Sequence, residues 1–246
     1  MIEMEVCANS VASAIEAQLG GAKRVELCAS LTEGGTTPSY AQIAMAKKML
    51  DIEVFPIIRP RGGDFLYSNL EFELMKEDVR ICKSLNCEGI VTGILTREGK
   101  VDKVRCAELV ELAKPMQVAF HRAFDMADDM YEALEDIISL GMVRILTSGG
   151  KASALKGAAI LSNLIALAGD RISIMPGAGV STNNIAALIS MTGAKVFHAS
   201  ARLPVSSEMN YRNEQLSMGA DTDEYSTTLT NAEMVKKLLE LANSAE

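Results

Sequence analysis

The sequence predicts an α/β protein: a single (β/α)8 barrel of the TIM type, with a long loop after strand eight and a closing helix. Two observations predict it. Short β-branched or apolar runs recur, each followed by a longer stretch with helical periodicity, and the runs start about 27 residues apart, near the ~30 residues of a strand plus its crossover helix. Eight such units fill the 246 residues as one domain over 1–246, the size at which this barrel closes. A doubly wound open sheet has the same alternation and stands as the alternative, because strand order is not written in sequence.

The strands are expected at Glu3–Cys7, Arg24–Cys28, Val54–Ile58, Gly89–Gly93, Gln117–His121, Val143–Thr147, Ile172–Pro176 and Lys195–Ala199. Between them apolar residues recur at helical spacing, as in Val11, Ala14, Ile15 and Leu19, or Leu134, Ile137, Ile138 and Leu140. Ser10 and Ser181 read as N-caps, and Gly20-Gly21, Gly141 and Gly193 as helix stops. Residues 202–230 break the rhythm: they are polar, without a clear period, and are expected as a loop that can fold over the barrel mouth. Met234, Leu238, Leu239 and Leu241 then mark the last amphipathic helix.

Composition narrows the function. A net charge of −8 argues against nucleic acid or an anionic membrane as partner, and no apolar run is long enough to span a bilayer. The acidic start Met1-Ile2-Glu3-Met4-Glu5 is unlike a signal peptide, so a cytoplasmic location is expected. The five cysteines, 7, 28, 82, 87 and 106, are an odd number without zinc-site spacing, expected as free thiols in a reducing compartment.

Strand alternation places candidate residues. With Met4, Val6, Val25 and Leu27 turned under the helices, Glu3, Glu5, Cys7, Glu26 and Cys28 must face the barrel interior. The same parity is expected to turn Arg59, Thr92, His121, Ser173, His198 and Ser200 inward. A barrel without a site would fill such positions with Val, Ile and Leu. Buried Glu5 and Glu26 need partners, expected to be Arg59, Arg61 or Arg122, or a metal or ligand. His121 and His198 stand at strand C-termini, the face where barrel sites are built. The turns Thr147-Ser148-Gly149-Gly150 and Pro176-Gly177-Ala178-Gly179 could present N–H groups to an anion, or simply start helices. Cys7 and Cys28 stand at equivalent heights on neighbouring strands about 4.8 Å apart, where two sulfurs can share a soft ion such as Cu(I) or merely be buried. Cys82, Cys87 and Cys106 read as structural.

These motifs resemble the CutC family, the copper homeostasis proteins, over essentially the whole chain. The matching stretches are Met4-Glu5-Val6-Cys7, Arg24-Val25-Glu26-Leu27-Cys28, Glu33-Gly34-Gly35-Thr36-Thr37-Pro38-Ser39, Ile58-Arg59-Pro60-Arg61-Gly62-Gly63-Asp64-Phe65, Phe120-His121-Arg122-Ala123-Phe124-Asp125, Leu146-Thr147-Ser148-Gly149-Gly150 and Pro176-Gly177-Ala178-Gly179-Val180. The resemblance implies a TIM-like barrel, a homo-oligomer (dimer or tetramer), and cytoplasmic copper handling with Cu(I) on Cys7 and Cys28. Two functions are therefore expected. One is a non-catalytic Cu(I)-binding protein. The other is an enzyme acting on a small phosphorylated or carboxylated metabolite. In the enzyme, Arg59, Arg61, Arg122, Ser148, Gly149, Gly150, Gly177, Gly179 and His198 would hold the anion, with Glu5 or Glu26 as base and His121 as acid. No lysine ends a strand and there is no His-x-His, which disfavours Schiff-base and His-pair metal chemistry.

Overall fold

The computed structural model describes residues 1–216, 218 and 223–245. Strands and helices alternate as β1 (Glu3–Ala8), α1 (Val11–Leu19), β2 (Arg24–Leu27), α2 (Tyr40–Met49), β3 (Glu53–Pro56), α3 (Asn69–Ser84), β4 (Gly89–Thr92) and α4 (Lys103–Ala113). They continue as β5 (Gln117–Phe120), α5 (Met130–Ser139), β6 (Arg144–Thr147), α6 (Ala158–Ala168), β7 (Ser173–Pro176), α7 (Ile185–Thr192) and β8 (Val196–Ala199). Each expected strand is present, its ends shifted by one or two residues.

Parallel ladders run β3-β2-β1-β8 and β4-β5-β6-β7. Ile57 bridges to Val91, with Ile58 N–H donating to the Val91 carbonyl at 2.7 Å, which joins β3 to β4. On the other side β7 packs beside β8. The sheet therefore closes into a barrel, and the open-sheet alternative falls.

The sequence builds two cores. Met4, Val6, Val25, Leu27, Val54 and Ile90 face outward, under helix residues such as Leu109, Leu134, Leu161 and Leu188. In α3 the inward face is Phe72, Met75, Val79 and Cys82, steps of three and four that keep one stripe buried. Ser68 and Glu71 form a capping box at its start. Inside the barrel, Cys7, Cys28, Phe55, Ile57, Val91 and Ala119 form a second, smaller apolar cluster.

Strand β4 corrects one expectation. Thr92 does not face the interior; it shares the outward parity of Ile90, and its hydroxyl donates to the Ile58 carbonyl at 3.2 Å. The inward positions are Gly89, Val91 and Gly93, because larger neighbours occupy that space. A Cβ on Gly89 would lie 2.1 Å from the Phe55 ring and 2.7 Å from the Gln117 carbonyl oxygen. Gly89→Ala is expected to destabilise the fold by about 3 kcal/mol, since neither ring nor backbone can yield without displacing the barrel interior. Urea unfolding measures this, and a loss under about 0.5 kcal/mol would show that the interior gives way freely.

Residues 202–230 are the larger correction. They contain an antiparallel pair, β9 (Arg202–Ser206) and β10 (Ser226–Thr230), within what was expected as a loop without strands. Every residue of β9 is exposed and only Thr230 of β10 is buried, so the pair has no continuous apolar face, and the single Leu203/Val205 alternation is too short to read as a strand. Residues 217, 219–222 and 246 lie outside the described residues. Helix α8 (Ala232–Ser244) follows, burying Val235, Leu238 and Ala242. Ser10 caps α1 as expected. Ser181 does not cap α7: the Ser181 N–H donates to the Asn184 side chain, and the helix begins at Ile185.

Candidate functional site at the barrel mouth

The C-terminal strand ends surround a cavity of about 450 Å³. Cys7 from β1, Glu26 from β2, His198 from β8, and Arg59 and His121 just past β3 and β5 reach it, with Phe65, Arg122 and Asp125 from the loops.

Its floor is a charged layer set by strand register. In the β1–β2 and β1–β8 ladders, Glu5 stands opposite Arg24 and His198. Arg24 Nε donates to Glu5 Oε2 at 2.6 Å, Arg144 Nε lies 3.6 Å from the same oxygen, and His198 Nδ1 is 3.0 Å from Oε1. Arg24 also donates to Glu53 at 3.0 Å. Burial works to push the Glu5 carboxyl up, but His198 and the two guanidiniums outweigh it and bring it down to about 2. Burial likewise opposes charge on His198, yet its bonds to Cys7 and Glu5 and the Glu26 carboxyl hold it well above the usual histidine range.

The partners of Glu5 are thus Arg24 and Arg144, not Arg59, Arg61 or Arg122. Both could have been found. Arg24 shares the parity of Glu26 and Cys28, and Arg144 that of Leu146, which packs against Gly177 just past the neighbouring strand β7.

Above this layer Cys7 meets three groups. Its Sγ is 3.6 Å from Cys28 Sγ, and its donor atom, a His198 ring nitrogen and a Glu26 carboxylate oxygen all lie within 4.8 Å of one another. The hydrogen bond with Cys28, then burial, push the Cys7 thiol well up, so without metal it stays protonated. Burial, with the Glu5 charge, also raises Glu26, and one Glu26 oxygen, Oε1, is buried without a hydrogen-bond partner.

The remaining expected residues divide. His121 Nδ1 accepts the Ala123 N–H at 3.2 Å; burial, then the Arg59 charge, hold the ring down to about 3. As a neutral ring with the proton on Nε2 it can donate a hydrogen bond into the cavity. Arg59 lines the cavity; Arg61 does not. It is held in its own loop by Glu71 at 2.6 Å, Asp64 at 3.0 Å and the carbonyls of Gly62, Asp64 and Leu66.

The first glycine turn carries its own anion. Asp125 Oδ1 accepts the Ser148 and Gly150 N–H groups at 3.0 and 2.9 Å and the Thr147 hydroxyl at 2.5 Å, and Oδ2 takes Arg122 Nε at 2.7 Å. Gly149 N–H goes to Thr147 Oγ1 at 2.9 Å, and Arg122 also reaches Ser148 at 3.0 Å. These donors are therefore not free for a phosphate. In the second turn Gly177 N–H is bonded to the Thr147 carbonyl at 2.9 Å, and a Cβ there would lie 2.4 Å from Leu146. Gly177 serves close packing, while Gly179 lines the cavity.

Together these features define a (β/α)8 barrel whose mouth gathers thiol, imidazole and carboxylate over a buried ion network. The CutC family model matches residues 2–203, and the chain belongs to that family. It is 53% identical over 243 residues to a CutC family protein of Chromobacterium violaceum, covering 98% of each chain. It is 46% identical to the human copper homeostasis protein cutC homolog, covering 98% of this chain and 89% of that one. The solved structure of CutC from Streptococcus agalactiae superposes with a TM-score of 0.78 at 34% identity, over 81% of this chain and 99% of that one.

Proposed function

We propose that this chain serves copper homeostasis by holding Cu(I) as cargo at the barrel mouth, with Cys7 as the central ligand. One observation carries the reading: the Cys7 sulfur lies 3.6 Å from the Cys28 sulfur and within 4.8 Å of donor atoms on both His198 and Glu26. Two sulfurs and an imidazole nitrogen are a soft donor set, the kind that selects Cu(I) over hard cations. Glu26 is a hard donor and fits better as the acceptor of a proton released when a thiol takes the metal. The human and mouse relatives' name, copper homeostasis protein, points the same way. The reading implies a reducing compartment such as the cytoplasm, where the five cysteines, all free here, stay thiols. No helix among the described residues is long and apolar enough to cross a membrane.

A Cu(I) competition titration against a chelator tests it. The wild type is expected to bind one equivalent, and Cys7→Ser/Cys28→Ser, verified as folded by its thermal unfolding, to lose at least ~100-fold in affinity, about 2.8 kcal/mol. Equal affinity in the double variant would overturn the two-thiol site.

A further inference from the structure

Across the cavity from the thiols, two buried donors face one aromatic ring, and the copper reading uses neither. Arg59 is 4% exposed. Its guanidinium donates to the carbonyls of Glu33 and Gly35, both at 2.7 Å, and of Gly63 at 2.9 Å. All three acceptors are neutral, and among the described residues no carboxylate pairs with this charge. Its Nε is buried without a hydrogen-bond partner, as is the Tyr67 hydroxyl, which interacts with the same guanidinium. Buried cations in folded proteins are normally paired.

His121 is 3% exposed. Because Nδ1 accepts the Ala123 N–H, the ring proton is on Nε2, which is also buried without a partner. The ring is backed against β4, where a Cβ on Gly93 would lie 2.7 Å from His121 Cε1 and Nδ1. That contact fixes the ring's position, and Nε2, the ring atom next to Cε1, is left as its unpartnered polar atom at the cavity. Phe65 joins the two donors: its ring centroid lies 5.1 Å from the Arg59 guanidinium carbon and 5.0 Å from the His121 ring centroid. All three residues line the cavity.

We propose that this corner binds the carboxylate of a small organic acid, one oxygen accepting from the Arg59 guanidinium and the other from His121 Nε2–H. One full positive charge and one neutral donor match a carboxylate's single charge and two oxygens. A phosphate dianion would leave a charge uncompensated. Phe65, Ile57, Leu146 and Val180 give the acid's apolar body a place, and about 450 Å³ is within the range of small-molecule pockets. His121, held neutral, donates this bond across the physiological range. The inference stands apart from the copper reading, because no residue in it is a proposed copper ligand.

Benzoate is the probe, followed by NMR of the imidazole nitrogens. The chain has two histidines, so a single variant assigns both signals. Benzoate is expected to move the His121 Nε2–H proton downfield, saturably, with a Kd of about 1 mM. Benzamide, the same shape without charge, is expected to bind at least ~10-fold more weakly, as is benzoate to His121→Asn. That variant's Oδ1 replaces Nδ1 as acceptor of the Ala123 N–H, so the backbone turn is kept while the Nε2 donor is lost. Absence of a saturable His121 shift in the wild type would overturn the proposal whatever the variant does. Equal binding of benzamide, equal binding by a folded His121→Asn, or a His121 response to inorganic phosphate but not benzoate would each do the same.

Discussion

Glu5→Ala is expected to cost about 3 to 5 kcal/mol, the largest single loss at this site. The carboxylate is 1% exposed and holds Arg24, Arg144 and His198 within 2.6 to 3.6 Å. Removing it leaves three buried cationic groups crowded together without the charge that pairs them. Glu53→Ala is the control: that carboxylate contacts the same Arg24 but is 32% exposed, so about 1 kcal/mol or less should be lost. Acid reports the same interaction. The folded Glu5 carboxyl is at about 2 against an ordinary 4.5, so its stabilisation is complete above pH 4.5 and disappears as pH falls from 4.5 toward 2. Its size is about 3 kcal/mol at about 1.4 kcal/mol per pKa unit. Urea unfolding at pH 5 and pH 3 should show Glu5→Gln losing about 2 kcal/mol less than wild type across the interval, the part of the linkage that falls above pH 3. Parallel slopes for variant and wild type would remove Glu5 from its central position.

Asp125→Ala is expected to cost about 2 to 4 kcal/mol, because it leaves several donors unpaired at once. The carboxylate is 7% exposed and gathers the Thr147 hydroxyl, the Ser148 and Gly150 N–H groups and Arg122. Asp125→Asn should fall between, since one oxygen becomes a donor facing donors. Hydrogen exchange separates local from global loss: the Ser148 and Gly150 amides should exchange faster than in wild type under conditions where β-strand amides are unchanged. Unchanged exchange at both would show that the turn holds itself.

Most of the barrel was legible because its strands alternate. Met4 and Val6 against Glu5 and Cys7 fixed which face of β1 turns inward, and the parity of β2 set Cys28 beside Cys7. Legibility failed where alternation carried no side chain. On β4 two of the three inward positions are Gly89 and Gly93, leaving only Val91 with a side chain there, so the pattern offered Thr92 in their place. It failed again where an interaction spans the chain: Asp125 reads as an ordinary polar residue until β6 brings Ser148, 23 positions later, against it. The β9–β10 pair was unreadable for a third reason, since a ribbon exposed along all of β9 and most of β10 needs no continuous apolar face. Arg24 and Arg144 are different. Their parity was available, and the carboxylates that required a cation lay on the same strand faces.

The Phe55 ring has a consequence for traffic. It is fully buried, with the Arg24 and Arg144 guanidinium carbons 5.6 and 5.0 Å from its centroid, and this stack closes the barrel beneath the thiols. The mouth is then a cul-de-sac rather than a conduit. Whatever reaches Cys7 must arrive and depart through the same doorway. If the site holds Cu(I) as proposed, loading and unloading share one entrance and cannot proceed at the same time.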